Sequence, residues 1–545
     1  MYNIVIMRIW ILSIALSFSC SMYGQDFSQA DTLRGSITPE RAWWDLNYYH
    51  LNIEVNPYDS TIMGSNEVRY TVLEQSDIMQ IDLQDPLQIT RVTQDGRELK
   101  FTQNGPAHHI HLDKEQHVGA LNSIVVHYGG NPHVAKRAPW DGGITWTSDN
   151  NGNPFAASSC QGIGASIWWP CKDHMYDEVD SMLVTVTVPE GLMDVGNGTL
   201  RSKITANGKV TTEWYVDNPI NNYGVNINVG DYVHFDEVYE GEAGDLDLDY
   251  YVLRDNLDRA KEQFKQVPMM MDAFEHWFGP YAFYEDGFKL VEAPYLGMEH
   301  QSSVTYGNEY TNGYLGRDLS GSGWGLKFDF IIIHEAGHEW FANNITYQDI
   351  ADMWIHEGFT AYSESIYVEY HFGKDAGADY VIGTRSNISN DKPIIGTYGV
   401  NSRGSGDMYY KGSNMLHTIR QIVSDDEVWR SMLRGLNEEF YHKTVSTDQI
   451  EQYMIDNLSV DLTDVFDQYL RDHHIPILEY REGRNGLAYR WSNVKPGFDM
   501  PVDVEINGVK HRVNASTFWR NLQIEDRIES VVVDRDYYVA SMKVF

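Results

Sequence analysis

A multidomain α+β fold is predicted by three features of the 545-residue sequence. Its length exceeds what one hydrophobic core usually serves, at roughly 100 to 200 residues per domain. Its hydrophobic pattern alternates with period two near both ends and turns helical in the middle. Its 42% hydrophobic residues and moderate Gly and Pro content exclude a disordered or fibrous chain.

The first 25 residues read as an export signal: Arg8, an apolar run from Ile9 to Phe18, then small residues from Ser19 to Gly24. This run is too short to span a bilayer, and no stretch of about 20 apolar residues follows it. The mature chain is therefore expected to be periplasmic or extracellular, with no transmembrane segment. Leu16-Ser17-Phe18-Ser19-Cys20 loosely resembles a bacterial lipobox, which leaves a lipid anchor at Cys20 as the alternative.

From Trp43 to Phe235 alternation dominates, as in Tyr49, Leu51, Ile53 and Val55, or Met182, Val184, Val186 and Val188. An antiparallel β domain is expected over residues 31–245, with turns such as Asp141-Gly142-Gly143. A mostly helical domain follows over 246–475. Its helices are expected at Leu257–Val267, Lys327–Asn343, Phe359–Phe372, Ser413–Val423 and Gln449–Asn457, the last opened by a Ser446/Gln449 capping box. After Ile475-Pro476 the alternation returns, with Val502, Val504 and Ile506 leading into an Asn507-Gly508 turn. A small β domain is expected over 476–545.

The chain carries 78 acidic against 41 basic residues, a net charge of −37, which repels phosphate backbones and excludes nucleic acid as a partner. Three cysteines cannot build a disulfide scaffold or an all-thiolate metal site, so any metal must use histidines and carboxylates. His334-Glu335-Ala336-Gly337-His338 has the spacing of two zinc ligands flanking a general base. The motif requires a helix. Four residues of strand span about 13 Å, too far for two ligands each roughly 2 Å from one ion. Glu357, after an eighteen-residue gap, supplies the third ligand. Glu364, two turns beyond Glu357 on the same face, is placed to orient a ligand histidine. His356 lies about 100° around that helix and reads as structural.

These residues, with Gly297-Met298-Glu299-His300 upstream, resemble the aminopeptidase N family of zinc exopeptidases, which includes leukotriene hydrolase. The family normally reads Gly-x-Met-Glu-Asn, so this chain departs from it at Gly297 and at His300. Cys160-Gln161-Gly162 with Trp169-Pro170-Cys171-Lys172-Asp173 is similar to the family's glutamine loop. Tyr409-Tyr410-Lys411-Gly412 is similar to its Tyr-x-Lys-Gly, and Ile475-Pro476-Ile477-Leu478-Glu479-Tyr480 to the end of its catalytic domain. The likeness runs from about residue 40 to 545. It implies a thermolysin-like (gluzincin) catalytic domain and a β-sandwich-like C-terminal module, with the family's large C-terminal helical domain absent.

The resemblance implies one Zn²⁺ on His334, His338 and Glu357, Glu335 as base, and Tyr409 as oxyanion donor with Tyr410 as the fallback. Gly297 and Met298 would line the substrate backbone, while Glu299 and Gln161 would hold a free α-ammonium. The implied activity is removal of N-terminal residues from peptides. A zinc endopeptidase, a second epoxide-hydrolase activity in the same pocket, and a non-catalytic binding protein are the alternatives. His108, His109 and His111 read as an exposed strand, Met269-Met270-Met271 as core, and Ser148–Asn153 as a loop rather than a calcium site. Spacing leaves open whether Cys160 and Cys171 are bridged. Oligomeric state and side-chain preference are not legible.

Overall fold

The computed structural model describes residues 27–483 and 486–545. The export signal and Cys20 lie outside the described residues. The N-terminal part is built on a ten-stranded sheet whose central strands are Trp44–Asn56, Thr61–Val72 and Ser181–Pro189. Tyr49, Leu51, Ile53 and Val55 are buried on one face, as are Met182, Val184, Val186 and Val188. One expectation is corrected: Trp44–Asn56 and Ser181–Pro189 run parallel, inside an otherwise antiparallel sheet. Alternation reports which face of a strand is buried and is silent on strand direction.

A second sheet joins Met193–Asp194, Asn228–Gly230, Pro154–Ser159 and Gly143–Ser148. The strand Pro154–Ser159 runs straight into Cys160-Gln161, so this sheet delivers the glutamine loop. The loop is pinned by Asp173, which accepts from Ala165 N at 3.1 Å and Ser166 N at 3.2 Å. Lys172, fully buried, donates to the Trp44 carbonyl at 2.6 Å and pairs with Asp177. Cys160 and Cys171 are buried free thiols.

A five-stranded sheet comes next, in the order Tyr232–Gly241, Gly244–Leu253, Phe288–Glu292, Val304–Tyr306, Gly297–Met298. Its first two strands form a hairpin, and the expected boundary between residues 245 and 246 falls inside the second of them, Gly244–Leu253. The period-2 signal continues across that hairpin, which is why the sequence alone assigns its first strand to the preceding domain. Gly297–Met298 is the edge strand, leaving one side of its backbone open toward the cleft.

Helices pack beyond this sheet. The expected helix Leu257–Val267 is broken into Leu257–Gln263 and Gln266–Phe278; Met270 and Met271 are core, and Met269 is exposed. Lys327–Asn343 resolves into the helix Phe330–Gly337, followed by a wide turn over Glu339–Asn344. Trp354–Phe372 starts five residues earlier than its pattern suggests, and every residue from Trp354 to Val368 is buried. A helix buried all round has no amphipathic period to betray its start. Tyr410–Val423 crosses it at the closest approach of two glycines, where a Cβ on Gly412 would sit 3.0 Å from the Gly358 Cα. The Ser446/Gln449 capping box opens Thr447–Leu458.

Residues beyond Ile477 form a four-stranded and a three-stranded sheet. Asn507 (φ 52°) and Gly508 (φ 82°) make the turn between Asp499–Ile506 and Val509–Ser516. Two hydrophobic clusters hold the molecule. One belongs mainly to the N-terminal sheets; the other runs from Leu246 to Tyr538 and joins the helices to the C-terminal strands. No helix among the described residues is long and apolar enough to cross a membrane.

Candidate active site

Asp329 sets the position of the first helix of the site. Its carboxylate accepts from Ile331 N at 3.1 Å and from Tyr306 Oη at 2.7 Å, capping the helix and tying it to the five-stranded sheet. From that helix His334, Glu335 and His338 project toward the cleft. Glu357 comes from the first turn of Trp354–Phe372. The His338 and His334 Nε2 atoms lie 3.4 Å and 3.7 Å from Glu357 Oε2.

Each histidine is held by its other nitrogen. His334 Nδ1 lies 2.7 Å from Glu364 Oε1, and Glu364 Oε2 accepts from Tyr380 Oη at 2.6 Å. His338 Nδ1 lies 3.1 Å from both the Phe341 carbonyl and Thr360 Oγ1. Both Nε2 atoms are thereby turned toward the same point.

The residues present fit a divalent ion of zinc's size. Glu357 Oε2 is buried and has no hydrogen-bond partner among the described residues, although two imidazoles face it. Ligand atoms about 2.0–2.1 Å from a tetrahedral ion lie about 3.3–3.4 Å apart, close to the separations found here. One donor atom from each of His334, His338 and Glu357 falls within a 4.8 Å group. Charge leads to the same conclusion. Burial pushes Glu335 up to about 7 and raises Glu299, whereas the two histidines, against the opposing effect of burial, hold Glu357 below the ordinary carboxylate range. Three buried carboxylates in one cleft are stabilised by a cation among them.

Gln161 Nε2 hydrogen-bonds Glu299 Oε1 and stands 3.5 Å from Glu357 Oε1, so one amide links the two carboxylates. Glu299 is anchored from behind, its carbonyl accepting from Asn343 Nδ2 at 3.0 Å. Tyr409 and Tyr410 both line the cleft, but Tyr409 stacks on the His334 ring (centroids 6.1 Å apart). Burial and then the charge of Glu357 raise the Tyr409 phenol, whereas the charge acting most on Tyr410 is that of Glu364. The cleft encloses about 560 Å³.

Gly297 and Met298 line the cleft wall facing Glu335. A Cβ on Gly297 would come within 2.7 Å of Ile331 Cγ2 and 2.9 Å of Glu335 Oε1. Gly297→Ala is therefore expected to displace the Glu335 carboxylate and lower kcat about tenfold or more, since a misplacement of about 1 Å can cost 10²-fold. Steady-state kinetics beside a thermal melt would check this: a large kcat loss with a small Tm change is expected.

His300 is fully buried, does not line the cleft and contacts Thr305 Oγ1 through Nδ1 at 3.3 Å; burial lowers it to about 3, which keeps it neutral. His356 Nε2 accepts from Tyr347 N at 3.0 Å, a packing role. His109 is half-buried and His111 exposed on the strand Ala107–His111, while His108 is buried. Thr360, Tyr380, Asn343 and the Phe341 carbonyl escape sequence reasoning. Thr360 carries a signal, being three residues from Glu357 on the same helix face; the others are distant in sequence or depend on an irregular turn.

Residues 263–469 match the peptidase family M1 domain. The rat (Rattus norvegicus) protein named endoplasmic reticulum aminopeptidase 1 is 21% identical over 423 residues, covering 74% of this chain and 45% of the rat protein. Leukotriene A-4 hydrolase of Xenopus laevis is 22% identical over 335 residues, covering 58% of this chain and 52% of its own. The chain thus spans about half the length of these relatives. Among solved structures, the M1 zinc metallopeptidase of Deinococcus radiodurans aligns with a TM-score of 0.66 at 19% identity, over 80% of this chain and 95% of that one. Its glutamate-to-alanine mutant bound to a Tyr-Ser-Ala substrate aligns with a TM-score of 0.65 at 18% identity, over 79% and 95%. These likenesses establish a shared multidomain α+β fold.

Proposed function

We propose, for a chain that carries an M1 peptidase domain over residues 263–469, that it is a zinc aminopeptidase releasing N-terminal residues from peptides. The observation that carries this reading is the Gln161 amide, which links the Glu299 carboxylate to Glu357 and so sets an acidic anchor beside the histidine–glutamate triangle. A buried carboxylate there suits a free α-ammonium, a charge that an internal peptide bond lacks. In this reading residues 246–475 act as a thermolysin-like catalytic region. The strands after Ile477 act as a β-sandwich-like module, and the first 25 residues direct export.

Bound by His334, His338 and Glu357, zinc would supply Lewis acidity, lowering the pKa of the attacking water and polarising the scissile carbonyl. Glu335 takes the water proton and returns it to the leaving amine, acting first as base and then as acid. Tyr409 donates its phenolic hydrogen to the developing oxyanion. Glu299 accepts hydrogen bonds from the substrate ammonium, and the Gln161 carbonyl oxygen accepts another. The edge strand Gly297–Met298 presents free backbone groups to an extended substrate.

The test is a comparison of free and N-acetylated peptides. An ammonium paired to Glu299 in a partly desolvated pocket is worth about 2–4 kcal/mol, or about 30-fold to 1000-fold in kcat/KM. Glu299→Ala is expected to keep its zinc, lose that factor on free substrates, and change little on acetylated ones. If wild type cleaves both equally, a zinc endopeptidase takes the place of this reading.

A further inference from the structure

The α-carbon of a substrate's first residue carries both the ammonium and the first side chain. A side chain whose ammonium rests on Glu299 and Gln161 therefore lies against the wall built beside them. That wall begins with Gly162 and Ile163, directly after Gln161. Arg34 Nη2 and Asn401 Nδ2 both donate to the Gly162 carbonyl, at 2.6 Å and 3.1 Å. The helix Gln29–Gly35, which carries Arg34, is in turn tied to the 401 loop, Asn401 N donating to the Asp31 carbonyl at 3.0 Å. Two residues further on, Arg403 also lines the cleft, and its charge acts on Tyr409 and Tyr347.

The two fully buried arginines among the described residues are ion-paired, Arg41 with Asp82 at 2.7 Å and Arg420 with Glu369 at 2.7 Å, whereas Arg34 is half-buried and Arg403 exposed at the cleft. Arg34 and Arg403 form no ion pair among the described residues, and Arg34 has Gly162 as its one side-chain hydrogen-bond partner. The acids nearest Arg34 in effect are already engaged. Asp173 accepts from the Ala165 and Ser166 amides, and Asp31 caps its own helix through Ser28. Two guanidinium groups without an ion pair among the described residues thus line the same cleft as Gln161 and Gly162, while Glu299 and Glu357 in that cleft suit an ammonium and a metal ion.

We propose that Arg34 and Arg403 form a receptor for a carboxylate on the substrate's first residue, so that the enzyme prefers N-terminal glutamate and aspartate. The proposal rests on the aminopeptidase reading and adds a substrate class to it. Arginine suits the task because its planar donors pair with a carboxylate.

The test uses glutamyl- and glutaminyl-aminomethylcoumarin, which match in shape, differ in side-chain charge and lack any C-terminal carboxylate. Wild type is expected to favour the glutamyl substrate about tenfold to hundredfold in kcat/KM. Arg403→Gln and Arg34→Gln should each shrink that ratio, and Arg34→Lys should keep part of it. Arg403 is exposed, so its variant tests the idea even if Arg34→Gln disturbs the loop. A wild-type ratio of one or less, or a ratio unchanged in both variants, would overturn the proposal. A ratio of one combined with a preference for Ala-Ala over its amide would assign the arginines to a short peptide's C-terminal carboxylate, again overturning it. Alanyl-aminomethylcoumarin separates the two levels. Turnover of it without glutamyl preference defeats only the receptor, while no turnover of any free-amine substrate defeats the aminopeptidase reading as well.

Discussion

Replacing Glu335 with alanine is expected to leave the zinc in place and lower kcat by about 10²-fold to 10⁴-fold, the range that a positioned general base supplies. Glu335 also falls within ligand distance of Glu299 and His338, so metal content is the measurement that separates base from ligand. Glu335 is buried against Gly297, forms no side-chain hydrogen bond with any described residue, and lines the cleft between His334 and His338. In the proposed mechanism this carboxylate accepts the proton of the attacking water. Because the lost interaction belongs to the transition state, kcat and kcat/KM should fall together while substrate binding persists. Single-turnover kinetics and metal analysis of the same preparation would check this. A variant that also emptied the site would make Glu335 a ligand and refute its role as base.

His338→Ala and Glu357→Ala should instead remove the metal and reduce turnover to background. Each leaves two donors where three converge, and each strands buried charge: without Glu357 the histidines lose their carboxylate, and without His338 the buried carboxylates lose a donor that faces them. Zinc content is expected to fall from one per chain to a small fraction. Thermal melts give an independent readout. A ligand at 1,000 times its Kd stabilises the folded state by about 4 kcal/mol, so a chelator should lower the Tm of wild type markedly and of the two variants little. Equal chelator sensitivity in wild type and Glu357→Ala would exclude Glu357 from the metal site.

Much of this arrangement is legible in sequence because it is local. His334 and His338 fall on one face wherever the segment is helical, and Glu357 and Glu364 are likewise two turns apart on one helix. The β stretches are legible because Tyr49, Leu51, Ile53 and Val55 alternate with outward residues. The hidden start of Trp354–Phe372 and the joined hairpin at 232–253 are not. In the first the burial is all-sided, and in the second a strand's pattern does not name its partner.

By itself, then, the sequence determined the residue types of the site, the helical spacing of its histidines, the acidic character of the chain and the sheet-to-helix-to-sheet order of the fold. Tertiary structure alone decided which distant groups meet: Gln161 against Glu299, Tyr380 behind Glu364, the Phe341 carbonyl and Thr360 behind His338, and Arg34 and Arg403 on one cleft. The reason is physical. Helix and strand periodicities are set by backbone geometry within a few residues. Contacts across tens or hundreds of residues depend on how the sheets and helices bury their apolar faces together, and no spacing along the chain encodes them.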